Sequence, residues 1–505
     1  KEDHLINLMA VSEIRQIKTD GLSGTYYGWL PDRGETFNPA ITTAYVSLLT
    51  GGTLNPVLTK STKNYVSWIF TGSYSYKDKF VLNGNLRMDG SNQFGSNPKY
   101  RFLPIWSVSG KYTLSNEDFL KNSDIISYLA VRASYGIQGN VDSGTSPDLV
   151  IKVGAQNTIT EHNESTIAYL PNPDLRWEKV EAWEVGFETN LLRNRLHFEG
   201  VFYKKNTKDL LAEVPGIAGT IPGIGNLGEI RNSGVELAAT WRDQIGDWGY
   251  SISANLTTIS NKVKSLVQEG YSIIAGDKNQ SYTMAGYPIG YFYGYKVDGV
   301  YQSKADIDAS PENTLATVTP GDLKFADVNG DGKITPEDRT MIGDPTPDVT
   351  YGLSLGVSYK NWDLSIEMMG QGGNQIYRTW DNYNFAQFNY MEQRLDRWHG
   401  EGTSNSQPLL NTKHAINREN SEYYVESGRF FRIRNLQLAY SFDKALISKI
   451  RLQALKMYFN VQNLKTWKHN TGYTPELGGS AIAFGVDNGS YPVPAVYTFG
   501  INLTF

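Results

Sequence analysis

Apolar and polar residues alternate one by one along much of this chain. The last nine residues, YTFGINLTF, show the pattern plainly. Tyr497, Phe499, Ile501, Leu503 and Phe505 fall on one side of an extended backbone, and Thr498, Gly500, Asn502 and Thr504 on the other. A period of two is the period of a β-strand. The same reading holds for Leu455, Met457, Phe459 and Val461 against Lys456, Tyr458, Asn460 and Gln462. It holds again around 435–442, 362–368, 351–359, 250–257 and 183–188. Further strands of this kind are expected near 66–76, 80–88, 103–113, 128–136, 196–204 and 234–241, with a less regular one near 4–15. The total is roughly 14, many of about 9–11 residues, the length that crosses a bilayer at a tilt.

The connections alternate too. YKDK joins one pair of strands, Leu192, Arg193 and Asn194 join another, and Lys360-Asn361 a third. Between them run long segments, 139–179, 206–229, 261–348, 373–426 and 464–493. A sandwich shows no such rhythm. Short turns at one end and long loops at the other predict an all-β chain, a transmembrane antiparallel β-barrel with short periplasmic turns and long extracellular loops. Structureless loops this long are foreign to a compact soluble domain unless they carry function.

Composition agrees. The chain has 505 residues, of which 40% are hydrophobic and 20% charged. Such modest hydropathy follows when only every second residue faces lipid. Tyr (32), Phe (20) and Trp (11) are plentiful enough to furnish interfacial girdles at strand ends. A net charge of −5 argues against a nucleic-acid partner, which requires a basic face. The absence of cysteine excludes disulfides, thiolate metal sites and Cys nucleophiles. No apolar run approaches the roughly 20 residues of a membrane-spanning helix. The opening KEDHLINLMAVSEIRQIK reads like the middle of a domain, so a processed or truncated product is expected.

Within 261–348 one stretch carries chemistry. In FADVNGDGKITPEDRTMIGDPTPDVTYG, Asp327, Asn329, Asp331 and Asp338 occupy positions 1, 3, 5 and 12 of a twelve-residue window, with Gly332 at position 6. This is the spacing of an EF-hand-like loop at 327–338. Asp327, Asn329 and Asp331 would give side-chain oxygens, Lys333 its carbonyl, Thr335 a ligand directly or through water, and Asp338 a carboxylate. Ile334 would pack inward. Hard oxygen donors suit a structural calcium, or magnesium, that pins the loop before it enters the membrane. Position 12 is Asp, one methylene short of the usual Glu. The alternative is an Asp/Asn/Gly-rich turn that binds nothing.

Other signals are weaker. Gly223, Gly225 and Gly228 read as GxGxxG, but the strand-like EIRNSGVELAATW follows where a nucleotide site needs a helix. HExxH is absent, and Glu184 and Glu188 read as solvated lumen residues. No enzymatic activity is expected. The segment TWDNYNFAQFNY gathers Trp380, Tyr383, Phe385, Phe388 and Tyr390, of which Trp380, Tyr383, Phe385 and Tyr390 are candidate substrate contacts. Packing of the loop on itself or on a lid protein is the other reading.

Several segments together resemble the SusC-like TonB-dependent transporters of Bacteroidetes outer membranes. They include FADVNGDGKITPEDRTMIGDPTPDVTYGLSLGVSYKNWDLSIEMMGQGGNQIY, YKDKFVLNGNLRMDGSNQFG, RFLPIWSVSGKYTLSNEDFL, NPDLRWEKVEAWEVGFE, GRFFRIRNLQLAYSF and MYFNVQNLKTW. The resemblance implies import of a large nutrient, a glycan or peptide, across the outer membrane. It also implies a SusD-like surface lipoprotein as lid and energy from TonB. Such barrels have about 22 strands, so 1–505 is expected to be the C-terminal part, completed by an N-terminal plug and barrel portion. The alternatives are a calcium-stabilised extracellular adhesin or binding protein, and a surface glycan hydrolase.

Overall fold

Fourteen strands form one continuous antiparallel meander in the computed structural model, which describes residues 3–505 apart from 39, 51–55, 141–145, 158, 215–222, 227, 267, 269, 381–389 and 411–413. The first seven are β1 (His4–Ser23), β2 (Val57–Tyr76), β3 (Phe80–Ser91), β4 (Leu103–Thr113), β5 (Ile126–Asn140), β6 (Glu178–Leu191) and β7 (Leu196–Lys208). The rest are β8 (Glu229–Ile245), β9 (Trp248–Thr258), β10 (Val349–Tyr359), β11 (Trp362–Gly372), β12 (Phe430–Ser441), β13 (Ala454–Lys468) and β14 (Val496–Thr504). Each pairs with its sequence neighbour, and a fifteenth strand, Ser260–Ser265, folds back on the outer part of β8.

The register explains why the sheet forms. Tyr250, Val357, Leu364, Leu438, Phe459 and Phe499 lie side by side across β9 to β14. One residue along, Ser251, Gly356, Ser365, Gln437, Asn460 and Thr498 form the matching row on the other face. One face is therefore apolar and the other polar, over six strands without a slip. The apolar row is not a core: Leu438 is 41% exposed, Phe459 44% and Phe499 63%. Water would not tolerate this many aligned apolar side chains, whereas hydrocarbon would.

Turn chemistry separates the two ends. Lys77 and Asp78, the run Leu192, Arg193 and Asn194, and Lys360 all adopt positive φ, between 50° and 65°. Such left-handed positions let the chain reverse within two to four residues. Aromatic pairs collect near this end, with ring centroids 4.4 Å apart for Phe80–Tyr112, 4.3 Å for Trp248–Tyr359 and 4.8 Å for Trp362–Tyr440. A second belt, Trp106–Tyr135–Trp183, lies towards the long-loop end at 5.5 and 4.6 Å. Two aromatic belts bounding an apolar wall mark the interfaces of a bilayer. No helix among the described residues is long and apolar enough to cross a membrane. β1 and β14 are the two edges of the sheet.

The buried core lies elsewhere, in the long connections. Segment 259–348 is not a bare loop. It holds a four-stranded sheet, Ser272–Ala275, Ser281–Met284, Tyr291–Gly294 and Thr340–Gly343, beside a pair formed by Val297–Val300 and Leu323–Phe325. Tyr295, Val300, Leu323, Phe325, Ile334 and Ile416 pack into one cluster. Phe292, Ile342, Tyr377 and Tyr424 form a second. Ile416, Tyr377 and Tyr424 come from 373–429, so two connections share one interior and build a cap above the wall.

Candidate functional site: the cap and the upper lumen

The cap is tied together by backbone and charge. Tyr295 N–H donates to the Asn420 carbonyl (2.9 Å), and Glu422 N–H returns a bond to Tyr295 (2.9 Å). A side chain on Gly294 would place its Cβ 2.2 Å from that same Asn420 oxygen, so this crossing admits only glycine. Tyr295 stacks on Phe325 at 4.7 Å with rings nearly parallel. Asp322, fully buried, accepts from His414 Nδ1 (2.8 Å) and Asn417 Nδ2 (2.9 Å), linking the two connections again.

The calcium-type loop is present as one continuous turn, and all six expected residues lie in it. Asp327 accepts from Gly330 N–H (2.7 Å) and Gly332 N–H (2.8 Å), Asn329 from Asp331 N–H (2.9 Å), and Asp331 from Lys333 N–H (2.8 Å). Gly330 and Gly332 have φ of 77° and 83°, which the tight reversal requires. Ile334 is buried, as expected for position 8. Asp338 is buried as well. One carboxylate oxygen accepts from Val328 N–H (2.9 Å) and the other from Thr335 N–H (2.7 Å), closing a capping box on the short helix Pro336–Asp338. The donor types are those calcium prefers. Yet among the described residues no three acidic or imidazole side chains converge on one metal position, because Asp338 faces backbone N–H groups.

Of the aromatic candidates, Trp380 is half-buried and its Nε1–H donates to Asp487 (3.3 Å), while Thr379 N–H bonds the Asp487 carbonyl (2.9 Å). Gln375–Arg378 pairs in parallel with Val486–Asp487 and antiparallel with Val425–Ser427. Trp380 thus seals one loop against another. Tyr390 is exposed. Tyr383 and Phe385, with Phe388, fall outside the described residues.

Beneath the cap the polar face of the sheet lines a lumen. Glu184 and Lys205 approach at 4.0 Å across β6 and β7, both solvated, as a lumen pair should be. The GxGxxG stretch forms a hairpin, Gly223–Asn226 against Leu211–Val214, with no helix to hold a phosphate. A polar cavity of about 920 Å³ opens on β11 to β14 beside Glu476 of the loop 469–495. Sequence reasoning did not find it.

An antiparallel meander with lipid-compatible and lumen-compatible faces, two aromatic belts and a folded outer cap defines an outer-membrane β-barrel protein. Comparison with known proteins gives the family. Residues 15–464 match the family described as TonB dependent receptor-like, beta-barrel, and the chain belongs to it. It is 28% identical to TonB-dependent receptor P26 of Formosa agariphila over 529 aligned residues, covering all of this chain and 52% of that protein. Against TonB-dependent receptor P3 of the same organism the identity is 30%, over 86% of this chain and 45% of the relative. Against TonB-dependent receptor SusC of Bacteroides thetaiotaomicron it is 25%, over 87% and 44%. Among solved structures, the RagAB peptide importer in its open-open state superposes with a TM-score of 0.81 at 23% identity, over all of this chain and 53% of that one. The chain spans about half the length of the curated relatives it matches. It is an outer-membrane protein of the SusC-like receptor class, a family of receptors and not of enzymes. Nothing in these likenesses supports an adhesin or a hydrolase.

Proposed function

We propose that the chain forms the C-terminal part of the wall and outer mouth of an energy-coupled importer that carries a large nutrient, a glycan or a peptide, across the outer membrane. The observation behind this reading is the aligned apolar row on one face and polar row on the other, capped by a folded outer module. The two sheet edges, β1 and β14, would leave N–H and C=O groups bare in hydrocarbon. An N-terminal portion with the plug and first strands supplies their partners, and TonB acts through it. A SusD-like lipoprotein closes over the cap, where the exposed Tyr390 contacts substrate or lid.

The test is purification of the full receptor from native membranes in detergent. A surface lipoprotein and the plug-bearing portion should appear together by mass spectrometry, and gene deletion should abolish growth on one glycan or peptide source. Recovery of this chain as a lone species in detergent-free buffer would overturn the reading.

Calcium belongs to the same proposal. Asp327, Asn329, Asp331 and the Lys333 carbonyl would hold it, with Thr335, and Asp338 would turn from its backbone partners to complete the shell. Asp327, Asp331 and Asp338, like Glu337 between them, lack any Lys or Arg partner among the described residues, which is what a bound cation would remedy. With Asp327→Ala and Asp331→Ala combined, the receptor should lose one equivalent of calcium by metal analysis and its 259–348 segment should be cut faster by protease. Unchanged metal content and unchanged cutting would dismiss the site.

A further inference from the structure

β12 carries a bulge that the lipid-facing pattern does not need. Glu367 of β11 faces Asn435, but the next residue, Met368, faces Ile433, so Arg434 is skipped. On the other side Ile433 faces Lys465 and Asn435 faces Gln462, so Asn463 and Leu464 are skipped as well. Asn463 takes a φ of 52° to allow it. A bulge puts two successive side chains on one face. Here it delivers both Arg434 and Asn435 to the lumen, where each lines the polar cavity of about 920 Å³.

The two arginines that line this cavity behave differently. Arg432 is buried, ion-paired with Glu476 and bonded to Thr466 (2.7 Å). Its charge is satisfied by the fold. Arg434 is exposed and has no hydrogen bond or ion pair to any described residue. Glu367, across the register from Asn435, is also without a cation partner among the described residues. Between them stand the carboxamides of Asn435, Gln437, Asn460 and Gln462, of which only Asn435 and Asn460 bond each other (2.6 Å). Among the described residues, one cation and one anion without ion-pair partners and a rank of groups that both donate and accept are gathered in a space of ligand size.

We propose that this bulge is a substrate-recognition point for an oligopeptide with a free carboxylate, which Arg434 binds while the carboxamides bond the peptide groups and Glu367 receives N–H or ammonium donors. The inference rests on the importer reading and names its substrate class. Guanidinium pairs with carboxylate in a fork of two parallel bonds. Amide side chains match the donor–acceptor alternation of a peptide backbone. An acidic oligosaccharide would bring its repeated negative charge against Glu367, and a neutral one would leave Arg434 unpaired. Tyr458 is the sole aromatic ring among the described lining residues, so a sugar chain would find one stacking surface and not a row of them.

The experiment uses the full receptor in detergent, wild type and Arg434→Gln, offered a tryptic casein digest, the same digest with its carboxylates amidated, and an oligo-uronate mixture. Wild type should retain the untreated digest and lose most of it on amidation. Arg434→Gln should lose roughly tenfold to hundredfold in affinity and no longer distinguish the two digests, as removal of a charge-assisted bond implies. Heat-modifiable migration of the variant on gels checks that its barrel is intact. Equal discrimination by both proteins overturns the assignment of Arg434, and retention of the oligo-uronate in preference to peptides overturns the substrate class. Energy-dependent uptake by whole cells is measured alongside. Its absence in wild type indicts the importer reading, while uptake indifferent to Arg434 indicts only this inference.

Discussion

At the scale of single residues, the cap holds carboxyls whose environments pull in opposite directions. Asp306 accepts an N–H from Gln302 (3.0 Å) and pairs with Lys324 (3.0 Å), and both interactions hold it below its ordinary 3.8. A depressed carboxyl stabilises above its unfolded pKa, and that help is lost as pH falls through the lower folded value. Burial raises Asp344 instead, with the charge of Asp348 adding and Thr346 bonds opposing. Its ionised form is disfavoured in the fold, so stability around it falls as pH rises through its raised value. Asp306→Asn should therefore speed hydrogen exchange across 297–325 at neutral pH and make little difference at about pH 2, below the unfolded range. Asp344→Asn should slow exchange at neutral pH around 340–348. Equal effects of either substitution at both pH values would contradict these signs. The same scale shows what sequence conveys about sites. The spacing from Asp327 to Asp338 was legible, and so was the burial of Ile334. That Asp338 turns inward to Val328 and Thr335 was not, since spacing records positions and not rotamers.

At the scale of elements, legibility depended on which solvent a residue meets. All fourteen wall strands were readable, because lipid on one side and water on the other enforce a period of two. Their ends were not: the strand expected at 128–136 runs on to Asn140, and that at 234–241 begins at Glu229, since ladders continue past the membrane on the long-loop side where no alternation is imposed. Four-residue strands such as Ser281–Met284 are too short to show any period. The bulge left a trace that went unread. Phe431 and Ile433 fall out of step with Leu436 and Leu438, a slip of one residue on β12, set against two extra residues, Asn463 and Leu464, on β13. Alternation also predicts asymmetry. Leu438→Arg, on the outer face, should cost about 2–4 kcal/mol in barrel stability. Ser365→Lys, beside it on the inner face, should cost little. Urea unfolding in lipid vesicles reads the difference, and equal costs would mean that the faces are assigned wrongly.

At the scale of the whole molecule, two kinds of cohesion coexist. The wall is held by its hydrogen-bonded ladder and by hydrocarbon against its outer face. The cap is held by a dry interior of Tyr295, Val300, Leu323, Phe325, Ile334 and Ile416, as a water-soluble domain would be. Phe325→Ala should therefore destabilise the cap by about 3–5 kcal/mol, seen as early proteolysis within 259–348, while heat-modifiable migration of the barrel persists. Joint loss of both would show one cooperative unit. This partition was invisible in the linear chain, where the cap reads only as long connections, because its core is assembled from segments about a hundred residues apart, such as Leu323 and Ile416.

The separate interior of the cap has a bearing on how the mouth takes up change. If cap and wall unfold separately, a substitution that reshapes the mouth will be absorbed among the residues that pack there, and the staves beneath it can stay as they are.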